Sequence, residues 1–148
     1  MSTLIAATTV SPAWSQIVVE NFGNSETPEW DTGEEPLVWT PGCYLIETVD
    51  DMESNVLVDF RVGVIDVHDV REIHNGNFVC ASGRASVCAP AMAQKAVLTL
   101  PRAGDWAIRI AVRGKFRPDY VVVFFNEDKW SDSMNGNALA EGSGEPLR

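Results

Sequence analysis

Short apolar segments rich in Val, Ile, Phe, Tyr and Trp recur along the chain between clusters of Gly, Pro, Asn and Asp. Few of these segments have a helical period, so the pattern predicts β-strands joined by turns. We expect strands at residues 15–21, 37–40, 43–49, 55–64, 77–81, 96–100, 105–113 and 120–126, with a weaker one at 4–10. Eight or nine strands at this spacing favour an all-β, antiparallel two-sheet sandwich, either jelly-roll or immunoglobulin-like.

Alternating side chains predict which faces of two strands point into the core. The predicted inward residues of strand 105–113 are Trp106, Ile108, Ile110 and Val112, and the predicted solvent-facing residues are Ala107, Arg109, Ala111 and Arg113. By the same reasoning Val56, Val58, Phe60 and Val62 point inward. Asp59 and Arg61 of that strand then face solvent.

Residues 121–125 are apolar at every position, which is not the pattern of a half-exposed strand. The segment is expected to be either a central strand covered on both faces or a contact surface for another molecule. The second reading gives one functional hypothesis, an assembly module that forms a homo-oligomer through this apolar strand.

The chain of 148 residues is predicted to form one domain over residues 1–130. Residues 131–148 are polar and glycine-rich and are expected to form a flexible tail. Short helical turns are conceivable only at 67–73 and 90–95, and Asn75-Gly76 favours a chain reversal.

No apolar run approaches the roughly 20 residues that a membrane helix requires, and no secretory signal is recognised. We therefore expect a cytoplasmic protein without a membrane partner. The three cysteines, Cys43, Cys80 and Cys88, are an odd number and suit a reducing compartment, although a Cys80–Cys88 bridge stays open as the less favoured alternative.

The charge of the chain is strongly asymmetric. Residues 1–60 contain eleven acids and no Lys or Arg, whereas the other 88 residues contain ten acids and all eleven bases. The overall charge of −10 therefore arises entirely in the first two fifths of the chain. Direct nucleic-acid binding is disfavoured because such a protein repels phosphates.

Two acidic segments are the candidate binding residues. The first, residues 26–35, is loop-like and places a Trp among five carboxylates, which is typical of a protein-binding loop with an aromatic anchor. The second follows at 50–53. The predicted partner-binding residues are Glu26, Glu29, Trp30, Asp31, Glu34, Glu35, Asp50, Asp51 and Glu53. The simpler interpretation is that acidic loops only keep a small domain soluble.

No catalytic or metal-binding motif is convincing. The chain has no Gly-x-Ser-x-Gly elbow and no phosphate-binding glycine loop, so we predict that it is not an enzyme and needs no cofactor. His68, His74, Cys80 and Cys88 are weak metal candidates, but their His-x5-His and Cys-x7-Cys spacing matches no common zinc site. We therefore predict no metal.

Residues 98–114, LTLPRAGDWAIRIAVRG, contain the pattern Pro-x-x-Gly-x-Trp between two strands. This segment resembles a hairpin of small bacterial β-sandwich proteins of the inhibitor and immunity type, among them competence protein J, a nuclease inhibitor. The resemblance implies an acidic inhibitor or immunity role in a bacterium. Together with the charge, it leads to the hypothesis of a non-enzymatic acidic protein that docks on a basic partner, such as a nuclease or a defence effector, by occlusion or by mimicry of a polyanion.

Overall fold

The computed structural model describes residues 1–90, 95–114 and 117–127. These residues form ten β-strands and no helix, and therefore include no helix that could cross a membrane. The strands are β1 Ser2–Val10, β2 Gln16–Asn21, β3 Leu37–Thr40, β4 Cys43–Glu47, β5 Val56–Gly63, β6 Arg71–Cys80, β7 Arg84–Cys88, β8 Ala96–Thr99, β9 Gly104–Arg113 and β10 Tyr120–Asn126.

The strands form two five-stranded sheets that pack face to face, which confirms the all-β sandwich. Sheet A has the order β1-β5-β10-β9-β6, and sheet B has the order β3-β4-β2-β7-β8. All strand pairs are antiparallel except β5 and β10, which run parallel. One parallel pair makes sheet A mixed, a detail that the alternation of side chains does not reveal.

The two inner faces form one core in which the predicted alternation is confirmed. Trp106, Ile108, Ile110 and Val112 of β9 are buried there, as are Val56, Val58 and Phe60 of β5. The outer face of β9 differs from expectation, because Ala107 and Ala111 are buried too. On β5, Asp59 and Arg61 are half-buried rather than fully exposed, and the Asp59 carboxylate accepts a 2.7 Å hydrogen bond from Tyr120.

The apolar segment 121–125 forms the middle of β10, the central strand of sheet A. Val121, Val123 and Phe125 point into the main core. Val122 and Phe124 point outward and lie beneath the loop at residues 64–70. Residues of the same chain thus cover the strand on both faces and pair both of its edges, as expected of a central strand. The homo-oligomer stays a prediction.

Two local expectations were incorrect. Residues 67–73 are not helical, since β6 begins at Arg71, and Asn75-Gly76 lies within β6 instead of reversing the chain. A side chain at position 76 would overlap the ring of His74, so this strand requires glycine there. Strand β7 was not predicted. Most of the 90–95 segment and the whole 131–148 tail lie outside the described residues.

Candidate functional site

The acidic loop, defined here as residues 22–36, crosses the outer face of sheet B from one end of the sandwich to the other. Near its start the Asn24 amide donates a hydrogen bond to the carbonyl of Glu26, beside the end of β2. Near its finish the Pro36 carbonyl accepts a 3.0 Å hydrogen bond from the N–H of Glu47. Glu26 therefore lies at one end of the molecule, and the acids of residues 31–35 lie at the other.

The second acidic segment joins residues 31–35 at that same end. It follows β4 directly, where the N–H of Thr48 donates to the Ser15 carbonyl at 2.8 Å and the N–H of Val49 donates to the Pro118 carbonyl at 3.0 Å. Six of the predicted binding residues therefore share one end of the sandwich, which we call the acidic end. They are Asp31, Glu34, Glu35, Asp50, Asp51 and Glu53.

Trp30 is not the exposed anchor that its sequence context suggested. It is half-buried and packs on the outer face of sheet B, against a cluster formed by Val18, Cys43, Leu45 and Cys88. Its indole Nε1 is shielded from solvent and has no hydrogen-bond partner within the described part of the chain. Trp30 thus fixes the acidic loop to the sheet.

Glu35 organises the tip of the acidic loop. Its carboxylate accepts hydrogen bonds from the N–H groups of Asp31 at 2.8 Å and Thr32 at 3.2 Å, and from the Thr32 hydroxyl at 2.9 Å. Backbone N–H groups, its own first, lower the pKa of Glu35 from 4.5 to about 2. The side chain of Glu35 therefore shapes the loop, while Asp31 and Glu34 are exposed.

The second segment forms a compact turn. The N–H of Asp50 donates to the Glu53 carboxylate at 3.2 Å, and the N–H of Met52 donates to the Asp50 carboxylate at 3.3 Å. A hydrogen bond between the two adjacent carboxyl groups lowers the pKa of Asp50 and raises that of Asp51. Asp51 and Glu53 remain exposed.

Trp14 is a surface feature that sequence reasoning missed. It is 73% exposed and lies with Ser15 in a two-residue turn closed by paired backbone hydrogen bonds between Ala13 and Gln16. Both central residues have positive φ, 52° and 57°, as in a type I′ turn. That turn favours Asn and Gly, so the sequence Trp-Ser carries no turn signal that could have revealed it.

A cavity of about 330 Å³ opens beside this turn at the acidic end. Trp14 and Trp30 line it together with Gly33 of the acidic loop, Glu47 at the end of β4, and Arg117. Arg117 is also the smallest of the causes that lower the pKa of Asp50.

The four weak metal candidates lie in different parts of the fold, apart from one another. His68 is on the exposed 64–70 loop, Cys80 is in the main core, and Cys88 is on the outer face of sheet B. All three cysteines are free, so Cys80 and Cys88 do not form a bridge. No group of three or more metal-ligating side chains occurs in residues 1–90, 95–114 and 117–127.

His74, the fourth candidate, belongs to an aromatic cluster that closes one edge of the sandwich. Its ring centroid lies 5.0 Å from those of Trp39 and Tyr44. The Tyr44 hydroxyl donates to the Asn77 carbonyl at 2.8 Å, which leaves His74 Nε2 as the donor in its 3.2 Å hydrogen bond with Tyr44. Burial lowers the pKa of His74 and favours the neutral ring, so its role here is packing.

Comparison with known proteins shows what the fold resembles. No family model matches the chain, and no curated protein matches its sequence. Among solved structures, ComJ from Bacillus subtilis, inhibitor of the DNA degrading activity of NucA, superposes with a TM-score of 0.68 and 12% identity over 86% of this chain and 99% of ComJ. The product of crocagin biosynthetic gene J superposes with a TM-score of 0.55 and 14% identity over 87% of this chain and 99% of its own. The chain therefore has the fold of these two proteins, which confirms the resemblance first found in residues 98–114.

Proposed function

We propose that this protein is a non-enzymatic inhibitor that docks its acidic end on a basic protein, such as a nuclease or a defence effector. The observation that carries the proposal is the convergence of six carboxylates, from two separate chain segments, on one end of the sandwich. The fold that it shares with ComJ, an inhibitor of a nuclease, supports the same conclusion.

The physical basis of this proposal is electrostatic complementarity. Carboxylates gathered at one end attract a positively charged cleft over a Debye length of roughly 8 Å at physiological salt, which speeds encounter and orients the partner. A nuclease cleft is basic because it binds phosphates, so carboxylates can occupy the same positions and exclude the substrate. The protein would act in a bacterial cytoplasm without a cofactor and without contacting nucleic acid itself.

Partner capture tests the proposal. The protein is immobilised, incubated with lysate from its host and eluted in a salt gradient, and the eluted proteins are identified by mass spectrometry. We expect a basic protein that elutes at moderate salt, because the binding is largely electrostatic. The enzymatic activity of the captured basic protein should fall when the acidic protein is added in stoichiometric amount.

Two charge-reversed variants make the test specific to the acidic end. The variant Glu34→Lys/Asp51→Lys reverses two exposed carboxylates there and should lose the partner. The control Glu26→Lys/Asp105→Lys makes the same change in net charge with two exposed acids at the opposite end. Equal capture by both variants would refute docking through the acidic end.

A further inference from the structure

Strand β1 forms one edge of sheet A. It pairs with β5 along its inner edge, and in the part of the chain that the structure describes no strand pairs with its outer edge. Alternate N–H and C=O groups along that outer edge are therefore open to another strand. Soluble proteins usually protect such an edge with a charge, a proline, a bulge or a short strand. An edge without this protection is a site where a further strand can add.

Among the four sheet edges in the described residues, β1 has the least protection. The edge strands β3 and β8 have only four residues each, and β6 begins with Arg71 and Glu72 and has a register shift. Strand β1 has nine residues and contains no charged side chain and no proline. Its one register shift, between Leu4 and Ala6, leaves residues 6–10 in regular pairing. Residues 6–10 thus form a regular and uncharged edge.

The outer face beside this edge is also suited to a contact. The side chains that β1 exposes there, Ala7 and Thr9, are small and uncharged. Leu57 of β5, which lies opposite Thr9, is 43% exposed. A further strand can therefore pack along β1 without removing a charged side chain of β1 from water, a step that costs free energy.

We propose that β1 pairs with β1 of a second copy of this chain, antiparallel and across a two-fold axis, so that two A sheets form one ten-stranded sheet. Because residues 6–10 are the regular part, the axis passes through Thr8. Every facing pair is then uncharged and includes a β-branched residue, a composition that favours strand pairing. The facing pairs are Ala6 with Val10, Ala7 with Thr9, and Thr8 with its own copy.

The charge distribution favours a second copy over the basic partner as the occupant of this edge. A cationic surface is attracted to the carboxylates of the acidic end and not to an uncharged strand. Two copies with a charge of −10 each repel one another wherever their carboxylates meet, so an uncharged edge is where they can approach.

The antiparallel arrangement also separates the two acidic ends. Val10 pairs with Val56, which closely follows the 50–53 segment, so the acidic end lies beyond the Val10 end of β1. In an antiparallel pair the two acidic ends lie at opposite ends of the ten-stranded sheet. The contact is closed and uses the same surface of both copies, so association stops at the dimer.

Sedimentation equilibrium of the purified full chain measures this association. The chain is studied at concentrations up to about 1 mM, at which even a weak contact associates. We expect a reversible dimer with twice the monomer mass of 16.2 kDa. Added salt should strengthen the dimer, because it screens the repulsion between two acidic molecules. A mass of 16.2 kDa at every concentration would overturn the inference.

A pair of charged variants makes the measurement specific to β1. Ala7→Lys/Thr9→Lys changes two exposed residues so that ammonium groups face each other twice across the axis, and should weaken the dimer by about tenfold. The control Asn75→Lys/Asn77→Lys adds the same charge at two exposed positions of β6, at the other edge of sheet A, and should associate as wild type does. Equal affinities of the two variants would overturn the inference.

Cysteine trapping tests the register separately from the affinity. Facing Cα atoms of an antiparallel pair are about 4.5–5.5 Å apart, which is within the range of a disulfide. Under mild oxidation Thr8→Cys should therefore form a covalent dimer, seen on a non-reducing gel. Thr3→Cys, at an exposed position outside the regular segment, should stay monomeric. The three native cysteines are buried, and a register without preferential trapping at position 8 would contradict the proposed pairing.

The dimer and the proposed inhibitor function can fail separately, because they use different surfaces. Glu34→Lys/Asp51→Lys should lose the basic partner and still form the dimer, whereas Ala7→Lys/Thr9→Lys should weaken the dimer and still capture the partner. Loss of the dimer in Glu34→Lys/Asp51→Lys would place the contact between copies at the acidic end and would overturn pairing through β1.

Discussion

The outer faces of the two sheets are each covered by a loop, and the two loops are built differently. The 64–70 loop covers sheet A with three aliphatic side chains, Ile65, Val67 and Val70, which pack on Val122 and Phe124. The acidic loop crosses sheet B and packs one aromatic side chain, Trp30, on the apolar cluster of that face, and the loop carries five carboxylates. The 64–70 loop completes a small additional core on sheet A. The acidic loop mainly exposes charged side chains.

The hydrogen bonds of the two loops show the same difference. Asp66 in the 64–70 loop accepts hydrogen bonds from the N–H and hydroxyl of Ser2, 64 residues earlier in the chain. Glu35 in the acidic loop accepts hydrogen bonds from Asp31 and Thr32, within its own loop. A loop tied to a distant strand contributes to the fold as a whole. The Glu35 hydrogen bonds instead hold only the tip of the acidic loop, where Asp31 and Glu34 are exposed.

The largest loss of stability is expected from truncating a side chain beneath the 64–70 loop. Phe124→Ala removes a fully buried ring and should lower the free energy of unfolding by about 3–5 kcal/mol. Chemical denaturation measures this loss. The control Leu57→Ala, at a 43% exposed position of the neighbouring strand β5, should cost well under half as much. Comparable losses in the two variants would contradict the view that the loop covers a core.

Truncating the packed side chain of the acidic loop should lower the free energy of unfolding by less. Trp30→Ala removes a half-buried indole and should lower the free energy of unfolding by about 2 kcal/mol, since part of the ring is already in water. The same variant should also release the acidic loop, so the Asp31 and Thr32 amides should exchange faster with solvent. A loss as large as that of Phe124→Ala would mean that the acidic loop is as much a part of the core as the 64–70 loop.

Relieving the strained turn at Trp14 and Ser15 should change the free energy of unfolding by a smaller amount, and should raise it. Replacing Trp14-Ser15 by Asn-Gly gives the turn the residues that positive φ favours, and should raise the free energy of unfolding by about 1 kcal/mol. The same replacement should abolish capture of the basic partner, because it removes the exposed indole. If stability rises and capture is unchanged, Trp14 has no part in binding.

Side-chain patterns were sufficient to predict the sandwich. Strand β9 alternates between core and outer face, and β10 is apolar throughout because both of its faces are covered, so each pattern reflects the environment of the strand. The side-chain pattern did not predict strand β7 or the beginning of β6, because neither has the run of large apolar residues that marks a strand. The buried positions Ala85 and Ser86 of β7 are small, and β6 begins with the polar residues of a sheet edge.

The candidate site could be predicted only in part. The charge asymmetry identified the acidic residues, but alternation fixes the face of a strand and not its neighbours, so convergence of residues 31–35 with 50–53 required the structure. The cavity depends on Glu47 and Arg117, which are 70 residues apart in sequence and meet only through the packing of the two sheets. Trp14 gave no signal because its turn uses residues that a type I′ turn disfavours.

The smallest predicted effects concern the carboxylates that hold the two loops. Glu35 has a pKa of about 2, below its ordinary 4.5, and hydrogen bonds from Ser2 lower the pKa of Asp66. A carboxyl whose pKa is lower in the folded protein binds fewer protons there than in the unfolded chain. Its stabilisation is therefore complete above the ordinary pKa and is lost as the pH falls through the folded value.

The variant Glu35→Gln should flatten the fall in unfolding free energy between pH 5 and pH 2, and Asp66→Asn should flatten the fall below the ordinary carboxyl pKa, because each removes one titrating group. Amide hydrogen exchange near pH 5 then separates the two loops. Glu35→Gln should speed exchange at Asp31 and Thr32 and leave Ser2 unchanged, whereas Asp66→Asn should do the reverse. If Glu35→Gln also exposed Ser2, or Asp66→Asn exposed Thr32, the two loops would be coupled through the sandwich. The tip of the acidic loop would then not be held independently of the 64–70 loop, as the proposed docking surface requires.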